Sequence, residues 1–103
     1  MRLYVAGPMT GLPEFNYPAF FDAAARLAAI GHDPINPARA EGREHCKSWL
    51  DFMRVGITDV AASDGVCVLP GWGESRGAAL EAHIARSLDL PVKTLDEWLG
   101  GAP

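Results

Sequence analysis

Short apolar runs alternate along this chain with longer segments of helical periodicity, and that alternation is the strongest constraint on its fold. Apolar runs bounded by Gly and Pro are typical of buried strands, and apolar residues at three- and four-residue spacing are typical of helices. These signals predict strands over 2–6, 33–36, 65–69 and 91–94, and helices over 17–30, 49–64 and 75–88. The alternation indicates an α/β three-layer sandwich, in which a small parallel sheet of four to five strands carries helices on both faces.

The length and charge of the chain limit its organisation and its partners. Its 103 residues suffice for a single domain, residues 1–103, and hence for one active site per chain. A net charge of −4 without any Lys/Arg block argues against a nucleic-acid polymer as partner. No apolar run approaches the ~18 residues of a membrane span, and no leader-like segment precedes the first strand. We therefore expect a cytoplasmic protein without membrane contact.

A domain of this size buries only a thin core, which bears on its assembly. Three Trp, four Phe and two Tyr indicate apolar surface that another subunit covers, so we expect a homodimer or homotetramer. Cys46 and Cys67 lack redox or metal-ligand spacing and are expected to be reduced. The sequence predicts neither a metal site nor a cofactor, because partners at ligand spacing are missing for His32, His45 and His83.

Two loops are the expected ligand sites, because ligands of parallel sheets bind beyond the carboxyl ends of the strands. The first loop, GPMTGLPEFN, can bring backbone amides close to an anion, although a simple turn is the other interpretation of its Gly and Pro residues. The residues expected to contact a substrate there are Gly7, Pro8 and Met9. The second loop, PGWGES, leads into the helix over 75–88.

The start of that helix is a candidate anion site. Ser75 is a good N-cap, and the amides of Ser75, Arg76 and Gly77 lie at the positive end of the helix, where the Arg76 guanidinium adds charge. We expect a phosphate to bind here. The alternative is that Ser75 merely caps the helix.

Glu81 is a carboxylate on the apolar side of its own helix. Helical side chains lean toward the N-terminus, so its carboxylate is predicted to lie over the gap left by Gly77. An unpaired buried charge is expensive, and Glu81 is therefore either functional or paired with a neighbouring amide or arginine. The residues predicted to face the core beside it are Leu80, Ile84 and Leu88.

Other side chains carry weaker signals. Trp72, in a Gly-flanked loop, is suited to stack on a planar base, or it packs on its own domain or on a subunit. Asp59 and Asp64 lie near the end of the second long helix, where a surface charge or a helix end is the simpler interpretation. Thr94 and Glu97 form a capping box that predicts a last helical turn.

Three motifs occur in order along the chain: YVAGP at the first strand, SDGVCVLPG around the third, and SRGAALE at the start of the following helix. Together they resemble the nucleoside 2-deoxyribosyltransferase family, including its 2′-deoxynucleoside 5′-phosphate N-hydrolase branch. The similarity covers essentially the whole chain, and GPMTGLPEFNYPAF with LPGW before SRG is similar to a small, mostly phage and bacterial subgroup. The resemblance implies a flavodoxin-like or Rossmann-like sheet, an oligomer, and cleavage of the bond between base and deoxyribose.

The resemblance also implies roles for individual residues. Glu81 matches the family nucleophile, Tyr4 the strand tyrosine beside it, and Ser75 the first position of the pattern D/S-x-G-x-x-x-E. A serine at that position is typical of the phosphate-hydrolysing branch and implies a 5′-phosphorylated nucleotide as ligand. The implied chemistry is that of a retaining glycosidase, in which Glu81 attacks the anomeric carbon and water or a second base resolves the glycosyl-enzyme.

One position departs from the family pattern. The family usually has an Asp eight residues before the position of Asp64, where it assists the leaving base, and this chain has Gly56 there. Asp59, three residues further along the same helix, is the candidate substitute. Asp64 itself is a candidate contact with the substrate. The sequence therefore leaves open an N-glycosidase or deoxyribosyltransferase, a nucleotide or nucleotide-sugar sensor without the acid, and a scaffold in which Glu81 is a buried structural pair.

Overall fold

One parallel sheet organises the part of the chain that the computed structural model describes, residues 1–100. Each pair of neighbouring strands is parallel, and the order across the sheet is β2-β1-β3-β4. The predicted small parallel sheet is confirmed, with four strands. They are β1 (Arg2–Ala6), β2 (Asp33–Ile35), β3 (Gly65–Val68) and β4 (Val92–Thr94).

Helices cover both faces of this sheet and complete a flavodoxin-like or Rossmann-like architecture. The three long helices begin and end within two residues of the predicted bounds. Short 3₁₀ turns, Pro13–Asn16 and Trp72–Glu74, occupy stretches predicted as loops. No helix within residues 1–100 is long and apolar enough to cross a membrane. The helices are α1 (Tyr17–Ala29), α2 (Trp49–Ala62), α3 (Arg76–Ser87) and α4 (Leu95–Trp98).

Alternate residues of β1 face opposite sides of the sheet, as the two-residue period of a strand requires. Leu3 and Val5 pack with Phe20 and Leu27 of α1. Tyr4 points the other way, toward α2 and α3, and is 2% exposed. The position of Tyr4 between the sheet and two helices follows from its place in the β1 alternation.

Small residues form the buried side of α3. Ala78, Ala82 and Ala85 are buried there together with Glu81, whereas Leu88 is 51% exposed. The predicted core stripe is therefore corrected: alanines face the sheet and let α3 approach it, while the larger apolar residues flank this interface or leave it. The prediction that Glu81 faces the interior is confirmed.

Capping boxes define where two of the helices begin. At α2, the Ser48 hydroxyl accepts from the amide of Asp51, and the Asp51 carboxylate accepts from the amides of Lys47 and Ser48. These amide donors lower the pKa of Asp51. The predicted capping box of Thr94 and Glu97 is confirmed at α4.

Three consecutive residues before α1 have a left-handed backbone. Glu14, Phe15 and Asn16 have φ values of 53°, 52° and 61°, a conformation that costs L-residues roughly 1–2 kcal/mol each. Asn16 occupies the N-cap position, but its side chain does not cap the helix. Instead, Asn16 Nδ2 donates to the carbonyl of Pro8 at 3.0 Å and so holds the β1–α1 loop against the start of α1.

Candidate functional site

A cleft of about 1000 Å³ lies at the carboxyl ends of β1 and β3, where the parallel topology predicts a ligand site. The β1–α1 loop, the beginning of α2 and the beginning of α3 form its walls. Tyr4 and Glu81 both line it. Other residues that the sequence nominates and the cleft contains are Gly7, Pro8, Met9, Ser75, Arg76 and Gly77.

Tyr4 and Glu81 form a buried hydrogen bond across the cleft wall. The Tyr4 hydroxyl donates to Oε2 of Glu81 at 2.6 Å, and Glu81 is 7% exposed. Burial raises the pKa of Glu81 to about 7, although the Tyr4 hydroxyl and the positive charge of Arg43 both oppose this rise. The pKa of Tyr4 is raised well above its ordinary value by burial and by the neighbouring Glu81. At neutral pH the pair therefore consists of a neutral phenol and a carboxyl group close to its titration midpoint.

Gly56 of α2 provides the space that the Glu81 carboxylate occupies. A Cβ at Gly56 would overlap Oε2 of Glu81 and would lie 2.9 Å from the Tyr4 hydroxyl. The expected gap at Gly77 serves another purpose, because a Cβ at Gly77 would lie 3.1 Å from the sulfur of Met53. Gly77 thus permits close packing of α3 on α2, and Gly56 admits the carboxylate.

Arg43, on the loop between β2 and α2, is a cleft residue that sequence reasoning missed. Its Nη2 donates to Oδ2 of Asp59 at 2.8 Å, and only 9% of its side chain is exposed. Asp59 itself is absent from the cleft lining. The structure therefore places Asp59 behind Arg43, where an ion pair engages its carboxylate.

The beginning of α3 forms a second polar end of the cleft. Ser75 Oγ accepts from the amide of Ala78, and the Ser75 amide donates to the carbonyl of Trp72, so the expected free amide of Ser75 is already engaged. Arg76 and Gly77 occupy the first positions of the helix, where amides lack intrahelical acceptors. The Arg76 guanidinium lies 3.9 Å from the centre of the Trp49 ring, and this stacking holds the charge at the cleft.

Trp72 and Asp64 do not line the cleft. Trp72 packs against the core beside α3, and its ring faces Arg86. It lines an adjoining 390 Å³ pocket that shares Pro70 and Gly71 with the cleft. Asp64 lies at the amino end of β3 and accepts from the amide of Arg2 at 2.8 Å. Both placements match the structural alternatives, packing on the domain for Trp72 and a helix end for Asp64. We leave Trp72 and Asp64 out of the candidate site.

Several cleft residues carried no recognisable signal in the sequence. They belong to the β2–α2 loop and the first turns of α2, segments that motif spacing does not connect with α3. A Trp at a helix start and an Arg in a polar loop are common, so only the packing of α2 against α3 reveals them. These residues include Arg43, Lys47, Trp49, Phe52 and Met53.

The described residues offer little support for metal or thiol chemistry at this site. Within residues 1–100 no three His, Cys, Asp or Glu side chains are grouped so as to hold a metal ion. Cys67 is buried in the sheet, and burial raises its pKa to about 12.

The fold and the cleft define an α/β protein with a buried carboxylate at a strand-end ligand site. The sequence matches the family described as Domain of unknown function (DUF4406) over residues 1–94, and the chain belongs to this family. No curated protein matches the sequence.

Replacing Gly56 with Ala should destabilise the protein, even though alanine is the better helix former. The added methyl group overlaps Oε2 of Glu81, and overpacking of this kind costs ~1–3 kcal/mol. The gain in helix propensity is about 1 kcal/mol and does not offset it fully. Denaturant unfolding measures the change in the free energy of unfolding.

A double-mutant cycle with Glu81→Ala is the control for this prediction. Without the carboxylate, the cost of Gly56→Ala should fall, because only the contact with the Tyr4 hydroxyl then remains. The same cost in both backgrounds would contradict the contact. Gly73→Ala reports the effect of a methyl group that meets nothing within 4 Å.

Glu81→Gln should stabilise the protein at pH 8 more than at pH 5. The pKa of Glu81 is about 7 in the folded state against 4.5 for a free side chain. The contribution of Glu81 to the free energy of unfolding is therefore fully present below pH 4.5, and it is lost as pH rises through about 7. Glutamine does not titrate, so the variant does not lose this stability, which amounts to roughly 3 kcal/mol at most. Thermal unfolding of both proteins from pH 5 to pH 8 measures the difference, and a pH-independent difference would refute the prediction.

Proposed function

We propose that this protein hydrolyses or transfers the N-glycosidic bond of a (deoxy)nucleoside 5′-monophosphate through a glycosyl-enzyme at Glu81. The observation that carries the proposal is the buried Glu81 carboxylate, held by Tyr4 in the wall of a cleft at the strand ends. Its nucleotide part is supported by the resemblance of YVAGP, SDGVCVLPG and SRGAALE to nucleoside 2-deoxyribosyltransferases.

Glu81 has the properties that a glycosyl nucleophile needs. Tyr4 fixes its orientation by a hydrogen bond to Oε2, and Oε1 accepts none of the hydrogen bonds found within residues 1–100. Burial makes the carboxylate more nucleophilic, and a pKa of about 7 leaves a large fraction ionised at neutral pH. In this mechanism Oε1 attacks the anomeric carbon, and water or a second base then resolves the ester.

The beginning of α3 supports a phosphate on the same ligand. The amides of Arg76 and Gly77, the helix dipole and the Arg76 guanidinium all favour an anion there. Glu74 also lines this end of the cleft and opposes it with one exposed negative charge. Ser75 and Glu81 are separated by six residues, about 9 Å along the helix axis, and the Glu81 side chain leans back toward Ser75. A sugar phosphate can therefore reach both groups at once.

A nucleotide or nucleotide-sugar sensor is the second candidate function. It is favoured by Gly56, which stands where the resembling family has an acid, and by the ion pair that engages Asp59 with Arg43. A sensor of this kind binds through the anion site and Glu81 without releasing a base.

We also propose that the protein acts in the cytoplasm as a homodimer or homotetramer. Large apolar side chains stand exposed in the cleft lining or next to it. They lie on the segment before α1, at the first residue of α1 and on the first turn of α2. A second copy is the partner that we expect to cover them. They include Leu12, Phe15, Tyr17 and Leu50.

Purified protein should release free base from at least one deoxynucleoside 5′-monophosphate. Glu81→Ala should lower this release by ~10³-fold or more, because it removes the nucleophile itself. Chromatography of the free base measures the rate. Glu41→Ala, on an exposed loop residue outside the cleft, is the control and should keep the wild-type rate.

The same assay separates the two candidate functions. Thermal stabilisation by a nucleotide without any free base would favour the sensor. Base release that is equal in wild type and Glu81→Ala would show that Glu81 is not the nucleophile. Absence of both base release and stabilisation would exclude both functions.

Arg76→Ala should weaken binding of nucleoside monophosphates by about tenfold and leave binding of the matching nucleosides almost unchanged. The reason is that a guanidinium–phosphate contact is worth roughly 1.5–3 kcal/mol, part of which the helix amides retain. Isothermal titration with both ligands measures the difference. Arg86→Ala, on the last turn of the same helix and outside the cleft, is the matched control. An equal loss for nucleoside and monophosphate would place the phosphate elsewhere.

A further inference from the structure

Arg43 is a buried cation at the inner part of the cleft. It reaches the site from the loop between β2 and α2, and its side chain is 9% exposed. It lines the cleft together with Tyr4 and Glu81. Its positive charge opposes the rise in the pKa values of Glu81 and Tyr4 that burial causes. Within residues 1–100, however, Glu81 forms no ion pair with Arg43. Arg43 is therefore close to the reacting carboxylate without neutralising it.

An ion pair with Asp59 of α2 fixes the Arg43 guanidinium in the cleft wall. Asp59 follows Gly56 by three residues on α2, and helical side chains lean toward the helix N-terminus. Its carboxylate consequently lies over the turn that contains Gly56 and binds Arg43 Nη2 there at 2.8 Å. Gly56 faces Glu81 directly, and Arg43 lines the same cleft as Glu81. We infer from this that the guanidinium can reach a group bonded to Glu81.

Most hydrogen-bond donors of Arg43 remain available to a ligand. A guanidinium carries five N–H groups in a rigid fork. One of those of Arg43 donates a hydrogen bond to Asp59. The side chain makes no other hydrogen bond within residues 1–100. Because Arg43 lines the cleft, a ligand there can accept hydrogen bonds from the remaining N–H groups.

The cleft offers a poor set of acids for protonating a leaving base. Tyr4 donates its proton to Glu81, and its pKa is raised well above the ordinary value. Glu81 is the nucleophile, Asp59 is paired with Arg43, and Glu74 lies exposed near the beginning of α3. A guanidinium does not give up a proton in proteins, but it stabilises negative charge well.

We propose that Arg43 stabilises the departing base as an anion and selects 6-oxopurine nucleotides, those of hypoxanthine and guanine, over the 6-amino base adenine. The inference rests on the proposed N-glycosidic cleavage at Glu81. An arginine fork matches the neighbouring O6 and N7 acceptors of a 6-oxopurine, whereas adenine presents an amino donor in place of O6. Two donors would then face one another across the Arg43–adenine contact.

The reaction balances without a further acid. Oε1 of Glu81 forms a bond to the anomeric carbon as the bond from that carbon to N9 breaks, and the electron pair of that bond passes to the purine. The resulting anion is held through O6 and N7 by Arg43. Water then attacks the glycosyl ester, its hydroxyl joins the sugar, its proton goes to the base, and Glu81 is released as the carboxylate.

Deoxyinosine and deoxyadenosine monophosphates form the sharpest test, because they differ only in the group at position 6. Wild-type protein should release hypoxanthine at least about tenfold faster than adenine, within the ~1–3 kcal/mol that a bidentate contact discriminates. Arg43→Gln should lower hypoxanthine release by about 10²-fold, as expected for loss of a donor at developing negative charge, and should bring the two rates together. Arg43→Lys keeps the charge without the fork and should retain part of the rate while losing most of the preference.

Arg39→Gln is the control, since this arginine lies on the same loop, is exposed and does not line the cleft. It should leave both rates and their ratio unchanged. Equal release of the two bases by wild type, or an equal loss for both in Arg43→Gln, would overturn the inference and leave the proposed function intact. If Arg43→Gln does not fold, the wild-type ratio and Arg43→Lys decide the same question.

Binding distinguishes failure of the inference from failure of the proposed function. In the Glu81→Gln background, isothermal titration should show tighter binding of deoxyinosine than of deoxyadenosine monophosphate, and Arg43→Lys should abolish this preference. If wild type releases no base at all, the proposed function is wrong. The binding preference for deoxyinosine over deoxyadenosine monophosphate then decides by itself whether Arg43 selects the base. Absence of any preference in binding and in turnover would refute the role of Arg43.

Discussion

The hydrogen bond between Tyr4 and Glu81 ties together the layers on one side of the sheet. Tyr4 belongs to β1, Glu81 to α3, and the space that contains their polar atoms exists only because α2 has Gly56 at that point. A carboxylate that is 7% exposed needs both a partner and room. The position of α3 over the sheet and its approach to α2 are thus fixed by one polar contact as well as by the alanine face of α3.

Much of the fold could be predicted because its signals are local. The apolar run RLYVA, the cap at Ser75 and the capping box at Thr94 act within a few residues, and the structure has each of them where the periodicity indicates. The inward direction of Glu81 also follows from one helix alone. The prediction of a core stripe that includes Leu88 was wrong. Helical periodicity does not show whether large or small side chains lie closest to the sheet, and in this protein alanines do.

The rest of the site depends on contacts between elements distant in the chain. The sequence does not show which glycine lies next to the Glu81 carboxylate, because Gly56 and Gly77 belong to different helices. The way α2 packs against α3 determines that Gly56 provides this space. The same holds for Arg43, which comes from a polar loop, and for Trp49, which stacks with Arg76 across two helices. Local pattern defines which side of a helix is buried, whereas the residue it meets depends on packing geometry.

The distribution of charge leaves the Glu81 carboxylate with a neutral partner. The positive charge of Arg43 opposes the rise in the pKa of Glu81. Yet Arg43 is paired with Asp59, and the contact left to Glu81 is the neutral hydroxyl of Tyr4. Such a carboxylate costs stability once ionised, and a glutamine would accept the same hydrogen bond without that cost. A poorly compensated charge beside a cleft is the arrangement that the proposed nucleophilic chemistry at Glu81 requires.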